Sequence, residues 1–273
     1  MADPVTVPGI RSRKVAAGAA PIVMLTAYDT PGARAADAAG VDVLLVGDSV
    51  ANAALGFDDT LQVDVDVMAH HVGAVRRARP DALVVGDMPW LTYHLSVDDA
   101  VRNAAALVRA GAEALKLEGG RRRLPVVEAL IGAEIPVMGH LGLTPQSVHA
   151  MGGYKVQARE DAAAEALLLD AKALAAAGCF AIVLEGVPDV VARRVTAEVE
   201  VPTIGIGAGP WCDGQVLVFH DLLGYRQGAA PKFVRRYADL HGAVVDAVTA
   251  WAADVRSGAF PSDAETYHLP GSR

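Results

Sequence analysis

The sequence has 273 residues, of which 52% are hydrophobic and 21% are charged, a balance that supports a large buried core and excludes a largely disordered chain. Its formal net charge is −8, from 24 basic and 32 acidic residues, and no basic face of the kind that nucleic-acid-binding proteins carry is visible. The length suits one α/β barrel domain or two smaller domains.

Segments typical of strands and helices alternate along the chain. Short continuous apolar runs predict buried parallel strands, and longer runs with helical spacing predict the helices between them. The predicted strands are 22–26, 41–46, 82–85, 114–117, 136–139, 181–184, 203–206 and 216–219, although a helix is also possible at the last. The predicted helices are 30–39, 66–79, 97–110, 124–132, 161–177 and one that begins at Pro231.

The helix at 97–110 has the clearest boundaries. Ser96 followed by Asp99 is a capping-box pattern, and Gly111 is a typical helix stop. Between them, one apolar stripe has helical spacing and consists of Val97, Ala100, Val101, Ala104 and Val108.

Two segments depart from the alternation. Residues 140–160 form a Gly-rich polar stretch, and a loop of this length in a compact domain is usually functional. Near the chain end, Leu240, Val244, Val248 and Trp251 form an apolar stripe, which we expect to cover the barrel or a neighbouring subunit.

About eight strand–helix units with no linker-like change in composition predict one domain over residues 1–273. The fold class expected is α/β, a (β/α)8 TIM barrel with extra helical structure at the C-terminus. In such barrels the chemistry lies at the carboxyl ends of the strands.

Five predicted strands stop on or next to an ionisable residue. These residues are Asp48, Asp87, Glu118, His140 and Glu185, in strand order. Because the carboxyl ends of parallel strands in a closed barrel surround one mouth, we expect these side chains to share one site.

Asp48, Asp87 and Glu118 end neighbouring strands. Three converging carboxylates resist joint ionisation, and a divalent cation would relieve that repulsion. An all-oxygen set suits a hard ion such as Mg²⁺. The alternative is that each carboxylate caps a following helix, but three at matching positions favour the metal.

Lys116 lies two residues before Glu118 and therefore faces the same side of the strand. An inward lysine in a barrel is costly unless it is paired. It could hold an anionic substrate oxygen, form a Schiff base as in metal-free aldolases, or simply form a salt bridge with Glu118.

The other candidates have individual roles. Glu185, expected across the barrel from the metal group, is a candidate general base. His140 could bind a substrate carboxylate, shuttle a proton or serve only as a structural hydrogen-bond partner. Ser49 could bond a ligand through its hydroxyl or merely begin a turn.

Cys179 and Cys212 are far apart and lack the spacing of a zinc site or a disulfide framework. The N-terminus has no continuous apolar segment of the signal-peptide kind, and no apolar run reaches the length of a membrane span. We therefore expect a cytoplasmic protein with neither membrane nor nucleic-acid partners. The basic run Arg121–Arg123 is interpreted as a solvated edge.

Several motifs resemble those of the 3-methyl-2-oxobutanoate (ketopantoate) hydroxymethyltransferase family. The resemblance extends from about residue 20 to the GAFP tail at 258–261. The motifs are VGDS at 46–49, GDMP at 86–89, KLEGG at 116–120, GHLGLTPQS at 139–147, GGYKVQ at 152–157 and GIGAG at 205–209.

This resemblance implies a barrel of the phosphoenolpyruvate/pyruvate type and a homo-oligomer, typically a decamer. It implies transfer of a hydroxymethyl group from 5,10-methylenetetrahydrofolate to 3-methyl-2-oxobutanoate, giving 2-dehydropantoate, the first committed step toward pantothenate. The expected route is a Mg²⁺-stabilised enolate, with small-molecule ketoacid and folate as the partners.

The resemblance also implies site roles. Asp48 and Asp87 match the family's Mg²⁺ ligands, and Glu118 matches its third metal-site acid, acting through water. Lys116 matches a ketoacid-binding position, as does Ser49 beside Asp48. Glu185 matches the proton acceptor.

Three positions depart from the family pattern. Phe57 stands where the family usually has His, and Gln62 where it usually has Pro, which affects the loop after Asp48 and its possible folate contacts. Ala158 stands where Gly is usual. None of these departures involves the predicted metal or base positions.

Rival interpretations concern the chemistry more than the fold. A related barrel lyase or mutase would use Mg²⁺ and an enolate, but such enzymes tend to carry a Cys-bearing lid, and no comparable loop is visible. A metal-free aldolase would centre on Lys116. A barrel kept as a ligand-binding module is disfavoured by the intact set of carboxylates.

Overall fold

The computed structural model describes residues 4–226, 228 and 230–270. Eight parallel strands close into a barrel in sequence order, and the last strand pairs with the first. The strands are β1 (Ile22–Thr26), β2 (Val43–Val46), β3 (Leu83–Asp87), β4 (Ala114–Glu118), β5 (Val137–Gly142), β6 (Ala181–Glu185), β7 (Thr203–Ile206) and β8 (Gly214–Leu217). The TIM-barrel prediction is confirmed.

Helices lie between and beyond the strands. They are α1 (Val7–Arg11), α2 (Thr30–Ala38), α3 (Val50–Ala53), α4 (Val65–Arg76), α5 (Val97–Ala110), α6 (Leu124–Gly132), α7 (Val148–Met151), α8 (Asp161–Ala176), α9 (Asp189–Glu198), α10 (Phe219–Leu222) and α11 (Leu240–Ser257).

Local caps explain why several helices begin where the sequence predicts. Ser96 accepts a hydrogen bond from the backbone N–H of Asp99, and Gly111 ends α5 in the left-handed conformation at φ 119°. Asp29 and Asp64 cap α2 and α4 in the same way, by accepting backbone N–H groups of the first turn.

The end of the barrel differs from prediction. Strand β8 lies two residues earlier than expected, and Phe219 begins α10 instead of ending a strand. Pro231 does not begin a helix; α11 begins at Leu240, capped by the Asp239 carboxylate, which accepts from the Gly242 N–H. Strand β5 also runs beyond its predicted end, to Gly142, because it pairs with β6 that far.

Alternation along the strands separates two cores. One face of each strand fills the barrel interior, where the large buried side chains include Met24, Leu83, Met138 and Phe180. The opposite faces pack against the surrounding helices. A strand buried on both sides reads as a continuous apolar run, which is why the strands are visible in the sequence.

The chain before β1 closes the amino-terminal end of the barrel. Ile10 of α1 is fully buried among the interior side chains, and Val5 and Val7 pack beside it. Lys14 then reaches the Asp213 carboxylate, at an Nζ–Oδ2 distance of 2.7 Å. In the part of the chain that the structure describes, this leaves the carboxyl-end mouth of the barrel open to ligands.

Replacing Asp213 by Ala is expected to lower the free energy of unfolding by about 2–3 kcal/mol, because buried donors lose their acceptor. Those donors are the Lys14 ammonium and the backbone N–H groups of Val15 and Thr203. Urea unfolding measures the change. Asp246→Ala, on the exposed surface of α11, is the control and should change stability by less than about 0.5 kcal/mol; equal effects in both variants would contradict the assignment.

The apolar stripe of α11 does not cover the barrel, so that part of the expectation is wrong. Val244, Val248 and Trp251 are all exposed, Trp251 to 55%. Its indole ring packs edge-on near Phe260, with ring centroids 6.4 Å apart. Cover by a neighbouring subunit stays a prediction. Among the described residues, no helix combines the length and apolar character needed to cross a bilayer.

The long segment after β5 is partly ordered into short turns. A 3-10 turn at Pro145–Ser147 leads into α7, and the backbone N–H of Gln157 then bonds the Gly186 carbonyl beyond β6. Ala158 has φ 54°, in the left-handed region that favours glycine. That conformation gives a physical reason for the usual Gly at this position.

Candidate active site

The barrel brings the predicted residues to its carboxyl end. Asp87, Glu118 and Glu185 are the last residues of β3, β4 and β6, and Asp48 follows β2 by two residues. His140 lies inside β5 instead of at its end. The strand register places Asp87 opposite Lys116 on β4, and Glu118 opposite His140 on β5.

Lys116 is paired, but with Asp87 and not with Glu118. Its Nζ lies 2.9 Å from Asp87 Oδ1 and 3.2 Å from His140 Nδ1. Burial lowers the pKa of the lysine, but the negative charges of the three neighbouring carboxylates outweigh burial and raise it above its ordinary value. A raised pKa favours the protonated amine, which cannot attack a carbonyl, and this argues against the Schiff-base alternative.

His140 joins the two sides of the site. Its Nδ1 lies 3.4 Å from Glu118 Oε1, and its Nε2 lies 3.2 Å from Glu185 Oε2. Burial and Lys116 lower the pKa of His140, but the two glutamates beside its ring raise it, to about 9. Glu185 is therefore not isolated across the barrel from the other acids, as the sequence had indicated: β6 is two strands from β4, and the imidazole bridges the gap.

The Asp48 carboxylate is buried beside two other acids. Burial and the negative charges of Asp87 and Glu118 raise its pKa well above its usual range. Its own backbone N–H donates to Asp87 Oδ2 at 3.0 Å, which fixes the two acids side by side. The Gln146 side-chain N–H donates to Asp48 Oδ2 at 2.9 Å.

Sequence reasoning missed two residues that hold the acids in place. Gln146 donates its backbone N–H to Glu118 Oε2 at 3.0 Å, and its side-chain oxygen accepts from the Tyr93 hydroxyl at 2.6 Å. That hydroxyl also accepts from the Glu118 backbone N–H. Gln146 lies within the GHLGLTPQS motif, which was a usable signal, whereas nothing in the sequence marks Tyr93.

Ser49 sits at the edge of the cluster. Its hydroxyl lies 2.8 Å from the Tyr28 hydroxyl, and its side chain makes no helix cap. The pair presents a hydroxyl beside Asp48, which keeps the ligand-binding prediction open.

The three acids do not cap helices, which removes the main alternative for them. The residues at the N-cap positions of α3, α5 and α6 are Ser49, Ser96 and Arg123. The carboxylates instead point at one another, at Lys116 and at Gln146.

The acid cluster fits a divalent cation bound partly by other ligands. Asp48, Asp87 and Glu118 are buried around one lysine, so negative charge is in excess. In the part of the chain that the structure describes, no three His, Cys, Asp or Glu side chains converge closely enough to hold a metal alone. Mg²⁺ usually takes one or two protein carboxylates and completes its shell with substrate and water, and the adjacent Asp48 and Asp87 match that pattern.

The fold and the acid-lined mouth define the class of protein: a (β/α)8 barrel with its candidate site at the carboxyl ends of the strands. A solved 2,3-dimethylmalate lyase, described as a PEP mutase/isocitrate lyase superfamily member, superposes with a TM-score of 0.60 at 18% identity, covering 98% of this chain and 93% of that one. Phosphonopyruvate hydrolase gives 0.61 at 13% identity, covering 97% and 92%. At such identities the similarity establishes the barrel fold.

Sequence comparison identifies the family within that class. The family model for ketopantoate hydroxymethyltransferase matches residues 4–263. The 3-methyl-2-oxobutanoate hydroxymethyltransferase of Methylobacterium sp. (strain 4-46) is 59% identical over 249 residues, covering 91% of this chain and 86% of the relative. That of Koribacter versatilis (strain Ellin345) is 55% identical over 251 residues, covering 92% and 85%. The chain belongs to the ketopantoate hydroxymethyltransferase family, and the predicted membership in this enzyme family is confirmed.

Proposed function

We propose that the protein transfers a hydroxymethyl group from 5,10-methylenetetrahydrofolate to 3-methyl-2-oxobutanoate, forming 2-dehydropantoate. The observation that carries the proposal is the continuous chain of contacts from the Asp48–Asp87 pair through Lys116 and His140 to Glu185. This chain of contacts supports the proposal that a cation-binding group and a proton acceptor act at one mouth. The names of the relatives support the choice of ketoacid.

Asp48 and Asp87 would hold Mg²⁺ directly, and Glu118 would act on it through a water molecule. Both Glu118 oxygens already have protein contacts, with His140 and with the Gln146 backbone. When bound, the metal would act as a Lewis acid that makes the ketoacid C3–H more acidic.

Glu185 would accept the C3 proton. Its side chain is 17% exposed, against 3% for His140, so it is the member of the cluster that faces the mouth. His140 Nε2 contacts one of its oxygens and leaves the other for substrate. A base in this position needs a fixed orientation, which that contact supplies.

Lys116 and His140 would stabilise negative charge on the ketoacid. The surrounding acids raise the pKa of both groups, and both side chains are buried, where a positive charge or an N–H donor acts most strongly. Ketoacid C3 then bonds to the methylene carbon of the donor, and the two carbon–nitrogen bonds to tetrahydrofolate break with their electron pairs left on nitrogen. One water supplies the hydroxyl group and a proton to one nitrogen, and the proton that Glu185 accepted goes to the other.

Removing divalent cations with EDTA is expected to reduce both hydroxymethyl transfer and C3 proton exchange by at least about 100-fold, since a Lewis acid contributes several kcal/mol to such steps. Added Mg²⁺ should restore both and raise the melting temperature, because a ligand of the native state stabilises it. EDTA already saturated with Mg²⁺ is the control. Undiminished exchange in metal-free protein would refute the metal assignment.

The oligomeric and cellular assignments remain proposals. A homo-oligomer, and specifically a decamer, follows from the family resemblance, and the exposed apolar face of α11 supports a contact between copies. A cytoplasmic location suits the predicted folate and ketoacid substrates.

A further inference from the structure

A cavity of about 510 Å³ opens beside the acid cluster, between the loops that follow β3, β4 and β5. Its volume is in the range of small-molecule sites. The residues that line it include Tyr93, His94, Glu118, Arg122, Arg123 and Ser147. None of the proposed catalytic steps accounts for it.

The cavity carries unneutralised positive charge. Arg121 is committed to Asp170, whose Oδ1 lies 2.6 Å from the guanidinium Nε and also accepts the Arg121 backbone N–H. Over the described residues, neither Arg122 nor Arg123 has a carboxylate within ion-pair distance. Arg123 lies over the Tyr93 ring, 5.4 Å from its centroid, which holds this guanidinium at the cavity wall. The basic run is therefore not simply a solvated edge.

The lining also includes the His94 ring, which packs on the almost fully buried Tyr93. The Tyr93 and His94 rings pack at a centroid distance of 4.2 Å, and His94 Nδ1 is buried without a hydrogen-bond partner. Burial and the charge of Arg123 lower the pKa of His94 to about 4, so this imidazole is neutral at pH 7. A flat neutral surface beside two free guanidiniums suits a ligand that has both a ring and an anionic end.

The cavity is also connected to the reaction centre. Glu118 is one of its lining residues, and the Tyr93 hydroxyl bonds both the Glu118 backbone and Gln146. A ligand that fills the cavity therefore reaches the mouth where the ketoacid would lie.

We propose that this cavity binds the glutamyl end of the folate donor, with Arg122 and Arg123 contacting its carboxylates and the His94 ring contacting its aminobenzoyl ring. Guanidiniums pair with carboxylates in a bidentate manner, and this accounts for arginine at both positions. The inference rests on the proposed function, which supplies the donor.

Binding of tetrahydropteroyl monoglutamate, tetrahydropteroyl tetraglutamate and glutamate-free tetrahydropteroate to the full-length protein tests the inference, by calorimetry. Arg122→Ala and Arg123→Ala should each weaken binding of the two glutamylated compounds by about 10-fold or more, as expected for a charged hydrogen bond, and leave tetrahydropteroate unaffected. Arg123→Lys should recover part of the loss. Arg109→Ala, at the far end of α5, is the matched control and should change nothing.

Exchange of the ketoacid C3 proton needs no folate in the proposed reaction. It therefore distinguishes failure of the cavity assignment from failure of the proposed function. Exchange at wild-type rate in the arginine variants, with weakened glutamate-dependent binding, supports the proposal. Unchanged binding in both variants, or equal losses for all three compounds, overturns it while leaving the proposed function intact. A wild-type protein that catalyses neither exchange nor transfer would refute the proposed function itself.

Discussion

Replacing Glu185 by Gln is expected to slow exchange of the ketoacid C3 proton by about 10²–10⁴-fold, the usual contribution of a positioned general base. The amide cannot accept the proton, but its oxygen can still contact His140 Nε2, so the cluster keeps its shape. Ketoacid affinity should therefore stay within a few-fold of wild type. Deuterium exchange followed by NMR, together with calorimetric binding, measures both quantities.

Glu198→Gln is the matched control, because Glu198 is a surface residue of α9 paired with Lys172 and Arg194. Normal exchange in Glu185→Gln would remove Glu185 from the base role. Loss of ketoacid binding together with exchange would instead indicate that the residue holds substrate, and the base would have to be sought elsewhere.

Replacing Lys116 by Met is expected to lower the free energy of unfolding by about 3–5 kcal/mol, because removing one partner of a buried ion pair leaves the other charge uncompensated. Asp87 loses its 2.9 Å contact, and Asp48 loses the nearby positive charge that opposes its raised pKa. Methionine has a similar volume, so the change isolates charge from packing. Chemical denaturation at pH 7 measures the loss.

Lys172→Met provides the comparison, since Lys172 pairs with Glu198 at the surface, where the lysine side chain is 46% exposed. An exposed pair contributes no more than about 1 kcal/mol. If both methionine variants lost the same small amount, Lys116 would not hold the acid cluster together in the way the contacts indicate.

The strands could be predicted from the sequence because barrel strands are buried on both faces. β1 and β7 have their predicted bounds, and β4 and β6 differ by one residue, which is the acid itself. The acids at strand ends were visible for the same reason, as charged residues that interrupt apolar runs.

The contacts inside the site could not be predicted, because they depend on which strands are neighbours and on strand register. The sequence leaves three roles open for His140, and none of them specifies that it bridges Glu118 and Glu185, which it does because β5 lies between β4 and β6. Tyr93 reaches Gln146 across 53 residues of sequence, and no periodicity encodes such a pair. The α11 stripe shows a second limit of the sequence: its apolar pattern predicts cover by the barrel or by a neighbouring subunit, and only the structure shows that the barrel does not cover it.

Because the amino-terminal end of the barrel is closed, the carboxyl end is where its interior opens to solvent. Ile10 fills the amino-terminal end of the barrel. Both substrates of the proposed reaction must therefore enter through the opening above the acids, and both products must leave by it. The smaller ketoacid, destined for the deepest position beside Asp48 and Asp87, has to pass before the bulky folate occupies that opening. For the proposed reaction, we therefore expect ordered addition, with the ketoacid binding before the folate.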